Sequence, residues 1–194
     1  MSGAPSGGGK VVVYRSMSLD GYIAGPNDTM DWGGGRRLAD FVAPEDRAAI
    51  AADTGSMLIG RGTWDVGSRM EAEESRSVDY PFTGPFFLLT HRPLVPPDPD
   101  VTILSGDIGE AVATARDAAG GKNLEILGAD VAGQCLSRGL VHEILVYVLP
   151  VLLGDGVRFS PPGLALVDLE PISSVRSGDA TILRFRVVPT SRAT

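Results

Sequence analysis

Cysteine is almost absent from this chain: Cys135 stands alone among 194 residues. No internal disulfide can form, and no cluster of thiolate ligands is available. Histidine is nearly as scarce, with only His91 and His142, too few for a zinc site unless several carboxylates join them, so no metal is expected. Basic residues are outnumbered, 17 Lys and Arg against 24 Asp and Glu, for a formal net charge of −7. That balance argues against nucleic acid as a partner, because nucleic-acid recognition normally needs a basic face. It leaves room for an anionic cofactor, since a few Arg side chains and backbone N–H groups can outweigh the global sign locally. Long hydrophobic runs are missing too. The most apolar stretch, Ile144 to Leu153, contains Pro150 and is too short to span a bilayer. No charged-then-apolar signal segment opens the sequence, so no membrane association and a cytoplasmic protein are expected.

What is present is ordinary for a globular domain. Apolar residues make up 43% of the chain, enough for one well-packed core. Residues 1–9, MSGAPSGGG, read as a flexible lead-in, and residues 10–190 as a single domain. Strand-like text begins at Val11-Val12-Val13-Tyr14 and recurs at Met57–Gly60, Phe86–Thr90, Val101–Leu104, Leu124–Leu127 and Ile144–Leu152. Helical signals fall between these strands. Pro44, Glu45 and Asp46 suit the first turn of a helix reaching about Asp53. Asp107 and Glu110 form a capping-box pattern ahead of a stripe that ends at Gly120-Gly121. Two final strands, about Ala165–Ser174 and Ala180–Val188, are joined across Ser177-Gly178-Asp179, a hairpin signal. Gly25–Gly35 and the acidic Glu71–Pro85 read as loops. Strands alternate with helices until the end, which describes an α/β protein: a mainly parallel sheet flanked by helices, with an antiparallel C-terminal hairpin.

The segment from Asn123 to Ser160 carries the most information. A short apolar strand breaks at Gly128 into a helix with Ala132, Cys135 and Leu136 on one face. Such a turn leaves unpaired N–H groups at the helix start, where a phosphate can sit; an ordinary β-α-β unit would need Gly128 only for its turn. Two other strands end in polar corners. Ile59-Gly60-Arg61-Gly62-Thr63-Trp64 exposes a Gly-Arg turn, and Leu89-Thr90-His91-Arg92-Pro93 sets a hydroxyl, an imidazole and a guanidinium in a row. In a parallel sheet, ligands collect beyond the carboxyl ends of the strands. Two Arg-bearing corners beside a helix N-terminus suit an adenosine phosphate and a pyrophosphate.

A fourth segment, Ser16-Met17-Ser18-Leu19-Asp20-Gly21-Tyr22-Ile23-Ala24-Gly25, completes a pattern with LVHEILVYVLPVLLGDGVRF near the end. Together these segments resemble the dihydrofolate reductase superfamily, in the branch of the reductase domain of bacterial riboflavin-biosynthesis deaminase-reductases and its stand-alone homologues. The resemblance spans Lys10 to Val188 and implies a three-layer α/β/α fold with NADPH as hydride donor. By position it assigns Gly60, Arg61, Gly62 and Thr63 to one phosphate-binding corner. Thr90, His91 and Arg92 go to a second, facing the ribose 2′-phosphate, and Gly128, Ala129, Asp130 and Val131 to the pyrophosphate loop. Ser16, Ile23 and Ala24 would lie near the nicotinamide. Relatives often carry Gly-Gly where this chain has Gly128-Ala129. The methyl group fits if residue 129 is helical, and Asp130 is tolerable if its side chain caps the helix or points outward.

Hydride transfer needs an electrophilic carbon held against the nicotinamide, water excluded and a proton source nearby. The resemblance points to a pterin- or aminouracil-like heterocycle. Candidates for the proton source are few. Asp20 lies in the motif, though holding the turn with Gly21 is the role favoured for it, and Asp46 stands roughly where dihydrofolate reductases place a pterin-binding carboxylate. Met17, Asp20, Trp32, Leu153, Gly154 and Gly156 are the candidates for lining the substrate pocket; Trp32 could instead pin its loop to the core. The resemblance also implies a homodimer built on the end hairpin. The rival reading is a non-catalytic NADP(H)-binding sensor or scaffold with the same fold.

Overall fold

A computed structural model describes residues 9–72 and 82–189. The expected lead-in over residues 1–9 therefore lies, apart from Gly9, outside the described residues, as does most of the expected excursion over 71–85. Alternation governs the opening strand. In β1 (Val11–Ser18), Val11 and Val13 face one side of the sheet while Val12 and Tyr14 face the other, and all four are buried. Such two-sided burial marks a central strand of a parallel sheet.

The remaining strands are β2 (Tyr22–Ala24), β3 (Thr54–Gly60), β4 (Phe86–Leu89), β5 (Val101–Leu104), β6 (Asn123–Leu127), β7 (Glu143–Leu149), β8 (Val157–Arg158), β9 (Leu169–Ser177) and β10 (Ala180–Val187). Eight of them form one sheet in the order β5-β4-β3-β6-β1-β7-β10-β9. The first six run parallel; β10 is antiparallel to β7, and β9 to β10. The short β2 and β8 pair separately.

Among the described residues four α-helices cover the two faces: α1 (Pro44–Asp53), α2 (Arg61–Ala72), α3 (Ile108–Ala118) and α4 (Ala129–Ser137). Ala111, Ala115, Val131 and Cys135 of α3 and α4 pack on Val13, Leu124 and Ile126. On the opposite face Trp32, Phe41 and Val42 meet Tyr14, Leu145 and Tyr147, and Trp64 of α2 meets Ile59 and Leu88. Leu58, Leu124 and Ile126 are 0% exposed, and each such burial contributes roughly 1.5–3 kcal/mol. The expected three-layer α/β/α arrangement, mainly parallel with an antiparallel hairpin, is therefore present. Among the described residues no helix is long and apolar enough to cross a membrane.

Several bounds differ from expectation for identifiable reasons. β1 continues past Tyr14 because β7 keeps pairing with it, from Val12 with Glu143 to Ser18 with Leu149. β7 stops at Leu149 because Pro150 offers no N–H to the ladder. β9 starts later than expected and runs to Ser177, leaving a tight turn at Gly178-Asp179. It is the sheet edge, and all of its residues but Ser177 are exposed.

Candidate functional site

Because six neighbouring strands are parallel, their carboxyl ends share one rim, and the polar corners follow the strand order. β3 passes directly into α2, with Gly60 its last residue and Arg61 the first of the helix. β4 ends one residue before Thr90, and β6 one residue before Gly128. The registers Gly60 with Leu89 and Ile59 with Leu127 put Gly60 between the other two corners. All three corners proposed from sequence are thus brought together.

They also touch. A Cβ added to Gly128 would lie 2.5 Å from Thr63 Oγ1 and 3.6 Å from Gly60 N, and Gly128 has φ +95°. Only glycine serves there. A Cβ on Gly60 would lie 2.9 Å from Val131 Cγ2. The first turns of α2 and α4 therefore meet closely, the Thr63 and Val131 side chains seated against glycine, and the N-cap of α4 has no side-chain hydrogen bond. First-turn N–H groups lack intrahelical partners, so this junction can take a polyanion. Ala129 is the first residue of α4 and half-buried. The Asp130 side chain is exposed and accepts from Gln134 Nε2 at 2.8 Å, turned outward along the helix.

The second corner is built by its own hydroxyl. Thr90 is buried, and its Oγ1 accepts the Arg92 backbone N–H at 3.1 Å, folding the loop back. Arg61 spans the two corners: its Nε donates to Asp65 Oδ1 at 2.7 Å, and its Nη1 to the carbonyls of Arg92 and Pro93 at 3.4 and 3.3 Å. Arg92 Nη2 lies 3.9 Å from Asp65 Oδ2. Asp65, absent from the sequence reading, gathers both guanidiniums; its position one turn into α2 from Arg61 was the available signal. His91 is exposed, and Gly62 has open space around it.

Farther along the rim, SLDGYIAG and LLGDGVRF are locked to each other. Asp20 accepts from Ser18 Oγ at 2.6 Å and from the backbone N–H groups of Leu153 at 3.1 Å and Gly154 at 2.7 Å. These bonds, led by the one from Ser18, pull its carboxyl down to about 2. Asp20 therefore clamps the two segments together, the turn-holding role. Tyr22 Oη donates to the Gly154 carbonyl at 3.1 Å, and the Arg158 guanidinium covers the Tyr22 ring at 4.3 Å. A Cβ on Gly156 would lie 2.1 Å from the Ala24 carbonyl oxygen. Ser16, Met17 and Ile23 are half-buried nearby, with Met17 leaning on the α3/α4 core.

Two further sequence candidates lie on the α1 side of the sheet, where Leu153 packs against the cluster that holds Trp32. Trp32 is 2% exposed, packed with Phe41 and Val42; it anchors its loop and offers a substrate little surface. Asp46 is half-buried in the first turn of α1, its N–H bonded to the Ala43 carbonyl at 3.2 Å.

Comparison with known proteins completes the picture. Residues 9–183 match the RibD C-terminal domain family. A protein of Shewanella sp. PV-4 provisionally assigned to riboflavin biosynthesis superposes with a TM-score of 0.74 at 24% identity, covering 93% of this chain and 99% of that one. Dihydrofolate reductase of Enterococcus faecalis, in complex with NADP(H), gives 0.62 at 13% identity over 94% and 98%. The riboflavin biosynthesis reductase Rib7 of Saccharomyces cerevisiae gives 0.60 at 14% over 96% and 93%.

Proposed function

The chain belongs to the RibD C-terminal domain family, and on that premise we propose that it is an NADPH-dependent reductase of a small pterin- or aminouracil-like heterocycle. Reductase-type chemistry is what the family and the reductases of the same fold support; the cofactor and the substrate class are our reading. The observation that carries it is the junction of α2 and α4, where Gly128 seats against Thr63 and Gly60 against Val131 so closely that neither glycine has room for a side chain.

The residues fit the cofactor. Backbone at Gly128, Ala129, Asp130 and Val131, with Gly60, Gly62 and Thr63, would hold the pyrophosphate, and Arg61, Thr90, His91 and Arg92 the adenosine ribose and its 2′-phosphate. Ser16, Ile23 and Ala24 would hold the nicotinamide end. When bound, NADPH supplies the hydride. The clamp at Asp20 fixes Leu153 and Gly154 against the β1 exit, and Met17, Leu153, Gly154 and Gly156 would wall the substrate and keep water out. Asp46 is the carboxylate we assign to the substrate side, since both Asp20 oxygens are taken up by the clamp. We assign homodimerisation to the end hairpin, whose outer strand leaves Leu169, Ile172 and Val175 41%, 43% and 50% exposed.

One observation favours a second reading, a non-catalytic NADP(H)-binding protein: Asp20, the acid of the motif, is spent on the clamp. Following NADPH absorbance with aminouracil and pterin substrates decides between them. Consumption supports the reductase; binding without consumption across the panel supports the sensor; no binding refutes both.

A further inference from the structure

The β1–β6 ladder pairs Val11 with Leu124, Val12 with Glu125 and Val13 with Ile126, and goes no further. Beyond that point the strands part, and the side chain of Arg15 fills the gap. It is 5% exposed and follows Val11 and Val13 on the α3/α4 face. Its Nη1 donates to the carbonyls of Tyr14 at 2.6 Å and Ile126 at 2.9 Å, and its Nη2 to the carbonyl of Gly128 at 2.5 Å. Its Nε is buried without a partner. Burial lowers its pKa to about 9, against the opposing pull of Glu125, so the group is still a cation near neutral pH.

A buried cation held by carbonyls alone is costly. Three carbonyls accept three of its five N–H groups and bring no full negative charge. Glu125 is committed elsewhere, accepting from Thr54 Oγ1 at 2.8 Å. The charge sits directly beneath the uncapped mouth of α4, whose Gly128 carbonyl also receives the Ala132 N–H at 3.1 Å. In a planar trans peptide the N–H points opposite to the C=O. Drawing the Gly128 carbonyl inward therefore turns the Ala129 N–H away from Arg15, outward at the helix mouth.

We propose that Arg15 is a positioning residue for a diphosphate at the α4 mouth: through the Gly128 carbonyl it sets the Ala129 N–H outward, and it supplies the buried positive charge beneath it. This rests on the cofactor reading given above and adds to it the residue that shapes the pyrophosphate subsite from below. An anion at the mouth would offset the buried charge beyond what Glu125 does, and Arg15 would in turn favour the anion.

Calorimetric titration of the full chain with NADPH, inorganic pyrophosphate and 2′-AMP tests this. The last carries the 2′-phosphate but no diphosphate. R15M should weaken NADPH and pyrophosphate by about tenfold or more and leave 2′-AMP unchanged, with R15K recovering part of the loss. A129P provides a second variant, because proline is tolerated at the first helical position and Gly128, at ψ 132°, has the extended ψ that precedes proline. It removes the Ala129 N–H and should show the same selective loss at unchanged Tm. Equal loss of 2′-AMP and pyrophosphate in both variants, or no loss in A129P, overturns the proposal. If the wild type binds pyrophosphate but not NADPH, the cofactor reading fails while the Arg15 site stands. If it binds neither, both fall.

Discussion

Asp20 and Gly154 are joined by a hydrogen bond of 2.7 Å across 134 residues of chain, from the Gly154 N–H to the Asp20 carboxylate. With the neighbouring bond from Leu153, it explains why SLDGYIAG and LLGDGVRF belong together: one segment supplies the acceptor, the other two donors. D20A should lower Tm and raise the KM for substrate, through loosening of the 153–156 turn, more than it changes NADPH affinity. A D20A chain with unchanged Tm and KM contradicts the clamp.

The same clamp has a pH signature. Its folded pKa, about 2, is depressed below the ordinary 3.8, so its stabilising effect is complete above that ordinary value and is lost as pH falls through about 2. Acid unfolding of the wild type between about pH 4 and 2 should therefore include a component missing from D20N. Coincident acid transitions for the two chains would contradict this.

Arg61 and Arg92 differ in what else they hold, so their substitutions should differ too. Arg92 is exposed and meets Asp65 only at 3.9 Å; R92A should weaken NADPH about tenfold and NADH little. Arg61 also carries the Arg92 and Pro93 carbonyls, so R61A should weaken both cofactors, NADPH more. Equal loss of NADPH and NADH in R92A would remove these guanidiniums from the 2′-phosphate.

Much of this arrangement was legible from residue types. The branched runs gave the central strands, and Gly60, Thr90 and Gly128 marked their ends. What escaped had no periodic signal. β2 and β8 are three and two residues long, too short to show alternation. β9 is exposed on both faces and so lacks the apolar–polar rhythm of a half-buried strand. Arg15 was readable in principle, since the alternation Val11, Val13, Arg15 places a charge on a buried face. Tyr22 acts through a contact made between distant segments, which spacing alone does not give; Asp65 had the one-turn spacing from Arg61 as its signal.

The Cys135 thiol is 0% exposed, and burial pushes it up to about 12. Ellman's reagent should leave it unlabelled in the native chain at neutral pH and label it promptly in urea. Prompt native labelling would place it outside the core.

Glu143 is 4% exposed between Lys10 Nζ and Arg184 Nε, the latter at 2.6 Å, tying β7 to β10 and to the start of β1. These cations hold its carboxyl below the ordinary range although burial acts in the other direction. E143Q should cost about 1–3 kcal/mol in urea denaturation. A cost near zero would show that this network contributes nothing to the sheet.

The most direct test of the rim is calorimetric titration of NADPH against the wild type and G128A. The added methyl would meet Thr63 Oγ1 at 2.5 Å on a backbone with φ +95°. The wild type should bind at micromolar concentration, and G128A, still folded by circular dichroism, should not. A folded G128A that binds NADPH as the wild type does would contradict the placement of the pyrophosphate between α2 and α4.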